Sequence, residues 1–118
     1  MRTDRQQLGD RAEDLALRHL ASAGLKLVQR NFRCRWGELD LIVSDETALV
    51  FVEVRYRKGA RFGSAAETVD RRKQDKLVRA AQHFLQQFPQ WASHPTRFDV
   101  IALGEPGRIE WIKNAFEA

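Results

Sequence analysis

Apolar residues recur along the chain with two periods, one typical of helices and one typical of strands. In 4–23 they recur three to four residues apart, which predicts an amphipathic helix that ends at Gly24. The same period returns in 70–88, where Pro89 ends a second helix. The pattern therefore predicts one helix at the start of the chain and another in its second half.

Shorter apolar runs bounded by turn residues predict five strands, in 25–33, 38–44, 48–56, 97–103 and 108–112. A short polar turn joins the second and third runs into a β-hairpin, and the third run is apolar on both faces, which predicts a central strand. The stretch 89–95 is expected to be a loop. The order αβββαββ, with a crossover helix before the fourth strand, predicts an α/β fold with a mixed central sheet flanked by helices and a C-terminal edge strand.

The composition is typical of a globular protein. The chain has 118 residues, of which 43% are hydrophobic and 31% charged, so we expect a single domain over 1–118 with a core that needs no disulfides. No apolar run has the length of a membrane span, and the first residues lack the apolar stretch of a secretory signal. With Cys34 as the single cysteine, these features favour a cytoplasmic protein that binds no membrane.

Two predicted strands carry acids among aliphatic residues. The second strand places Glu38, Asp40 and Ile42 on one face, with its leucines on the other. The third strand places Glu53 and Arg55 on one face. A carboxylate in apolar surroundings costs several kcal/mol unless it is paired, protonated or bound to a cation. If the two acidic faces coincide, Asp40 and Glu53 approach to roughly 5–8 Å, where a hard cation such as Mg²⁺ would relieve their repulsion.

Each predicted helix adds a polar side chain near the sheet. Glu13 lies at the edge of the first apolar stripe, where it could reach the sheet margin, although an exposed glutamate is the simpler interpretation. Gln74 continues the buried stripe of the second helix, and a hydrogen bond to a strand terminus would also explain it.

Positive charge follows the second acidic strand directly. The net charge is +4, and between Arg55 and Arg79 nine basic residues stand against three acidic ones. A basic segment beside the acids favours a nucleic-acid path, although a solvated loop and helix face would show the same run. The candidates for contact with nucleic acid are Arg57, Lys58, Arg61, Arg72, Lys73 and Gln74.

These motifs resemble the PD-(D/E)xK nuclease superfamily, which includes restriction endonucleases and archaeal Holliday junction resolvases. The shared features are an acid on a first helix, an Asp on one strand and Glu-x-basic on the next, in an αβββαβ order. Over nearly the whole chain, the sequence more closely resembles the YraN-type family of small bacterial proteins. The matching segments are Gly37-Glu38-Leu39-Asp40-Leu41-Ile42, Phe51-Val52-Glu53-Val54-Arg55, Arg72-Lys73-Gln74 and Arg97-Phe98-Asp99-Val100.

The resemblance implies a restriction endonuclease-like fold. It also implies a metal-dependent endonuclease, which hydrolyses phosphodiester bonds in DNA and whose substrates include branched or junction DNA. It implies Asp40 and Glu53 as ligands of Mg²⁺ or Mn²⁺, with Glu13 as an accessory ligand and the backbone carbonyl of Val54 as another. Glu38 is an alternative acid.

Arg55 departs from the superfamily pattern, because it stands in the lysine position. Arginine stays protonated, so it can supply charge and hydrogen bonds to a phosphate but cannot act as a base. The implied catalytic set is therefore Asp40, Glu53, Arg55 and Glu13, with the attacking water activated at the metal. The alternative function is a nucleic-acid-binding protein that keeps a nuclease fold with little or no activity.

Other interpretations of these residues stay open. Asp40 and Arg55 could form a buried ion pair without catalysis. Zinc or thiol chemistry is disfavoured, because the histidines and Cys34 show no ligand spacing. The tryptophans, including Trp36, could stack on bases, although in a small domain they are more often core or rim residues. A homodimer through the first strand or the turn at 104–107 is a further hypothesis.

Overall fold

The computed structural model describes residues 3–57, 69–105 and 107–118. Its helices and strands are α1 (Asp4–Ser22), β1 (Lys26–Cys34), β2 (Gly37–Ser44), β3 (Leu49–Arg57), α2 (Arg71–Gln87), β4 (Thr96–Gly104) and β5 (Arg108–Phe116). The predicted αβββαββ order is confirmed. The main differences are that β5 continues to Phe116, and that Pro89–Trp91 forms a 3-10 turn where 89–95 was expected to be a loop. No helix among the described residues is long and apolar enough to cross a membrane.

Side-chain caps fix where both helices begin. The Thr3 hydroxyl accepts a hydrogen bond from the Gln6 N–H at 3.1 Å, and the Gln6 side chain accepts one from the Thr3 N–H at 2.9 Å. At α2, Asp70 Oδ1 accepts a hydrogen bond from the Lys73 N–H at 2.8 Å. The second cap holds Lys73 in the first turn of α2, next to the sheet.

The five strands form one sheet in the order β1-β2-β3-β4-β5. The β3–β4 pair is parallel and the other three pairs are antiparallel. A parallel neighbour requires a crossover, and α2 supplies it between β3 and β4. The predicted fold class, a mixed α/β arrangement with a flanked sheet, is confirmed.

The central strand β3 is covered on both faces. Phe51 belongs to the same buried cluster as Phe84 of α2, with the two ring centroids 6.0 Å apart. Val50 and Val52 belong to the cluster that contains Leu20 of α1. The alternation of side chains along β3 therefore sends neighbouring residues into two separate cores, as the sequence predicted.

Asn31 changes the direction of side chains along the edge strand β1. Its φ of 56° lies in the left-handed region, which asparagine tolerates better than most residues. Before it, Arg30 reaches acids of α1, whereas Phe32 packs in the core on the α2 side. The side chains of the neighbouring strand β2 change sides at the same level of the sheet, because Leu41 packs on the α1 side and Leu39 on the α2 side.

The predicted faces of β2 are therefore wrong in one respect. Leu39 was expected on the same face as Leu41 but shares a buried cluster with Ile42 instead. Asp40 lies between Leu39 and Leu41, at the point where the faces of β2 exchange. The cause is the conformation of Asn31 on the neighbouring strand, which strict alternation does not include.

A buried acid, Asp99, joins β4 to β5. Its carboxylate is fully buried and accepts hydrogen bonds from Arg97 Nε at 3.0 Å, from Trp111 Nε1 at 2.9 Å and from the Asn114 N–H at 2.9 Å. The pairing of the two strands shifts register next to Asp99. Asp99 thus holds the irregular end of β5, which explains why this strand extends beyond 112.

We expect Asp99→Ala to lower the free energy of unfolding by about 2–4 kcal/mol, because it leaves three donors without their buried acceptor. Urea denaturation would measure the loss. Glu110→Ala, on the same hairpin, should change the stability by less than about 0.5 kcal/mol. An equally small effect of Asp99→Ala would contradict this role.

Candidate functional site

The two central strands part at the candidate site. The antiparallel pairing of β2 with β3 ends at Leu41 opposite Val52, and Asp40 and Glu53 lie one residue further along each strand. Asp40 Oδ2 accepts a hydrogen bond from the Val54 N–H at 2.9 Å. The carboxylate thus takes up a backbone donor that the neighbouring strand leaves free, and this contact fixes Asp40 in the gap.

Asp40 and Glu53 face each other as two carboxyl groups. Glu53 is only 6% exposed, and its carboxyl group lies close enough to that of Asp40 to affect the pKa of Asp40. Burial first, and then the charge of Glu53, raise the pKa of Asp40 to about 9, against the opposing effect of the Val54 N–H. At neutral pH Asp40 therefore keeps its proton unless a cation replaces it.

Two further acids converge on Asp40. Carboxylate oxygens of Glu13, Glu38 and Asp40 all lie within 4.8 Å of one another. Oxygen ligands on opposite sides of an octahedral Mg²⁺ are about 4.2 Å apart, since each lies 2.0–2.1 Å from the ion. The spacing and the all-oxygen donor set therefore fit a small, hard divalent cation.

Arg30 and Asn31 hold the acid from α1 in place. Arg30 Nε lies 3.0 Å from Glu13 Oε1, and burial raises the pKa of Glu13 while Arg30 offsets part of that rise. The Asn31 side chain, with its nitrogen turned toward the acids, donates to Glu38 Oε1 at 2.7 Å and to Glu13 Oε1 at 3.1 Å. Two consecutive residues of β1 thus organise the acids of α1 and β2.

Two basic side chains contact Glu53, the acid that lies outside the cluster of Glu13, Glu38 and Asp40. Arg55 Nη2 lies 3.3 Å and Lys73 Nζ 3.5 Å from the same oxygen, Glu53 Oε2. Arg55 Nε is buried and has no hydrogen-bond partner in the described part of the chain. Within that same part, no basic side chain forms an ion pair with Asp40, so the buried Asp40–Arg55 pair considered from the sequence is not what these residues form.

The other predicted contact residues are placed as follows. Gln74 Nε2 donates to the Val69 carbonyl at 2.9 Å, so this amide stabilises the start of α2. Arg72 is exposed on α2, and Arg57 is the last residue of β3. Lys58 and Arg61 lie outside the described residues.

The structure brings most of the predicted site residues to one place. These are Asp40, Glu53, Arg55, Glu13, the Val54 backbone and the alternative acid Glu38, together with Lys73. Sequence reasoning missed Arg30 and Asn31. An asparagine inside a predicted strand was a signal, because asparagine is depleted in strands and marks irregular backbone.

Fold and site together define a mixed α/β protein with a cluster of carboxylates where two central strands part. Residues 12–103 match the Uncharacterised protein family UPF0102. UPF0102 proteins of Stutzerimonas stutzeri and Pseudomonas savastanoi pv. phaseolicola are 53% and 54% identical to the chain. Each alignment covers at least 98% of this chain and at least 98% of the relative. The UPF0102 protein of Saccharophagus degradans is 56% identical over 93% of this chain and 92% of its own length. The chain belongs to this family, which confirms the YraN-type resemblance.

A comparison with solved structures finds SfsA of Pyrococcus furiosus, in a complex with Ca²⁺. The alignment covers 96% of this chain and 65% of SfsA, with a TM-score of 0.39 and 12% sequence identity. This chain thus spans just under two thirds of the length of that protein.

We expect Asp40→Asn to be more stable than the wild type at pH 8 by about 1–3 kcal/mol, and to show little difference at pH 4. The folded state raises the pKa of Asp40, so between pH 4 and pH 9 the unfolded chain loses a proton that the folded chain keeps. Wild-type stability therefore falls as the pH rises, whereas asparagine does not titrate. Urea denaturation with EDTA across this pH range would measure the difference.

Asp45→Asn is the matched control for this prediction. Asp45, in the β2–β3 turn, accepts hydrogen bonds from the N–H groups of Thr47 and Ala48, which lower its pKa. Its ionised form favours the folded state above the ordinary aspartate pKa, so this variant should lose stability as the pH rises. The same pH trend in both variants would contradict the assignment of the raised pKa to Asp40.

Proposed function

We propose that this protein is a cytoplasmic, metal-dependent endonuclease that hydrolyses phosphodiester bonds in DNA, including branched or junction DNA, with Mg²⁺ or Mn²⁺ as cofactor. The observation that supports it best is the position of Asp40. This acid lies beside Glu53 where the two strands part and accepts a hydrogen bond from the Val54 N–H, and two more carboxylates reach the same place. The element order and the family resemblance agree with this proposal.

The proposed metal ligands are Asp40, Glu13 and Glu38, whose oxygens have the spacing for one cation. Glu53 and the Val54 carbonyl complete the proposed set. Once Asp40 loses its proton, its carboxylate and that of Glu53 would repel each other, and a shared cation would relieve that repulsion. A divalent cation bound there would activate a water and stabilise negative charge on a phosphate oxygen.

The basic residues of the site fit a phosphate. Arg55 presents a buried Nε with no partner among the described residues, and a guanidinium offers paired donors to phosphate oxygens. Lys73, from α2, brings an amine to Glu53. Lys73 supplies three rotatable N–H donors, so it adds a second contact for a phosphate beside Arg55.

A second candidate function is nucleic-acid binding with little or no cleavage. The observation that favours it is Arg55 in the lysine position, paired with Glu53. The two candidates differ in their dependence on the acids, because binding through phosphate contacts does not need Asp40.

We include a homodimer in the proposal, because β1 is an edge of the sheet and could pair with a second copy.

We expect the wild type to cleave DNA in Mg²⁺ or Mn²⁺, and both Asp40→Asn and Glu53→Gln to lose at least about 100-fold in rate, because each removes a charge that the metal requires. Linear, flapped and four-way DNA and a matched RNA panel, followed by gel electrophoresis, would measure cleavage. Asp14→Asn is the control, because Asp14 also pairs with Arg30 but is 55% exposed and lies outside the acid cluster.

Cleavage that persists in Asp40→Asn would refute the site. Metal-independent binding that survives both substitutions, without cleavage by the wild type, would support the second candidate instead.

We expect Mn²⁺ affinity to rise by about tenfold per pH unit between pH 6 and pH 8, with release of about one proton per cation, because Asp40 must lose its proton to bind the metal. The raised pKa of Asp40 makes this range the relevant one. Calorimetry in two buffers with different ionisation enthalpies would count the protons. Asp14→Asn should behave as the wild type, and an affinity independent of pH would contradict the proposed ligand.

A further inference from the structure

Trp36, in the turn between β1 and β2, is stacked with arginine side chains. The Cζ atoms of Arg35 and Arg79 each lie 4.7 Å from the Trp36 ring centroid. Trp36 is half-buried, and part of it packs against the core on the α2 side. An aromatic ring and one planar cation from the turn thus meet a second planar cation from α2, immediately before the strand that carries Glu38 and Asp40.

Two clefts open beside this ring, and they share Trp36 and Arg79. The first has a volume of about 230 Å³ and is further lined by Gln82, His83 and Gln86. Its walls combine the guanidinium plane of Arg79, held on the Trp36 ring, with the His83 ring and side-chain amides that both donate and accept hydrogen bonds. These are the groups that stack on a nucleobase and contact its polar edge.

The second cleft, of about 410 Å³, offers different chemistry. Besides Trp36 and Arg79, its lining residues are Arg72, Lys76 and Asp75. Three basic side chains therefore face one acid, which favours an anion. Phosphate is the anion that would lie next to a nucleobase, and both lysine and arginine bind it.

Helix α2 contributes residues both to the clefts and to the proposed active site. Lys73 contacts Glu53 from the first turn of this helix. Lys76 and Arg79 follow at intervals of three residues, so each is a neighbour of the one before it on the helix surface, in a row that winds around the helix over about 9 Å of its length. A strand whose phosphates follow these residues would lead from the acid cluster to Trp36.

On this basis we propose that the two clefts bind one unpaired nucleotide of a nucleic-acid substrate, the base beside Trp36 and the phosphate beside Arg72 and Lys76. The inference rests on the proposed nucleic-acid function and narrows its substrate class. A base inside a duplex has its faces covered by its neighbours, so only a flap, a loop or the branch of a junction can supply a free face. The protein would therefore prefer DNA with unpaired nucleotides close to the cleavage point.

The test is a binding measurement in EDTA, where metal-dependent cleavage does not occur. Fluorescence anisotropy would compare three labelled probes: a single-stranded oligonucleotide, the same oligonucleotide with abasic sites, and a duplex. We expect the wild type to bind the normal strand at least about fivefold more tightly than the abasic strand, because one stacked base contributes that much or more. The duplex should bind more weakly than the normal strand.

Paired substitutions separate stacking from packing. Trp36→Leu keeps an apolar side chain against the core but has no aromatic face, so the preference for bases should disappear. Trp36→Phe should keep part of it. Arg72→Gln should weaken binding of all three probes alike and reduce the salt dependence, because it removes a phosphate contact. Urea denaturation of each variant checks that it is folded.

The outcomes distinguish this inference from the function on which it rests. Equal affinity of the wild type for normal and abasic strands, or a preference that Trp36→Leu leaves unchanged, would overturn the nucleotide site and leave the proposed nuclease intact. Absence of binding to every nucleic-acid probe would overturn both.

Discussion

The hydrogen bond from the Val54 N–H to Asp40 is the contact on which the site depends. Where two antiparallel strands part, each leaves backbone groups without a partner, and a buried unpaired N–H is costly. Asp40 accepts that donor at 2.9 Å and is thereby fixed beside Glu53 in a setting that raises its pKa. The separation of the strands thus places two carboxyl groups side by side at this point of the sheet.

The charges around this point are unevenly distributed. On the α1 side, three carboxylates come within 4.8 Å of one another, and Arg30 and Asn31 hold two of them without contacting Asp40. On the α2 side, Arg55 and Lys73 contact the single acid Glu53. A cation would be drawn to the first side and a phosphate to the second, which is the arrangement that metal-assisted phosphodiester hydrolysis requires. The raised pKa of Asp40 means that its ionised form is unfavourable in the folded protein. Acids in such unfavourable surroundings are often found at functional sites.

The two helices contribute residues to the candidate site as well as to the core. α1 buries Leu20 and Ala16 against the sheet and carries Glu13 to the acids on the same face. The cap by Asp70 fixes the start of α2 so that Lys73 reaches Glu53, and the exposed face of the helix continues to Arg79 beside Trp36. One crossover helix therefore connects the candidate catalytic residues with the candidate nucleotide site.

The sequence by itself determined the elements, their order and the main acids. The hydrophobic period of 3.6 residues located both helices, and short apolar runs between turn residues located all five strands, because each element buries one or two regular faces. Only the tertiary structure decided which charges meet. It placed Asn31 at a positive φ, exchanged the faces of β2 around Asp40 and brought Lys73 from α2 to Glu53. These outcomes depend on a local irregularity and on contacts between residues far apart in the chain, and neither leaves a periodic signal in the sequence.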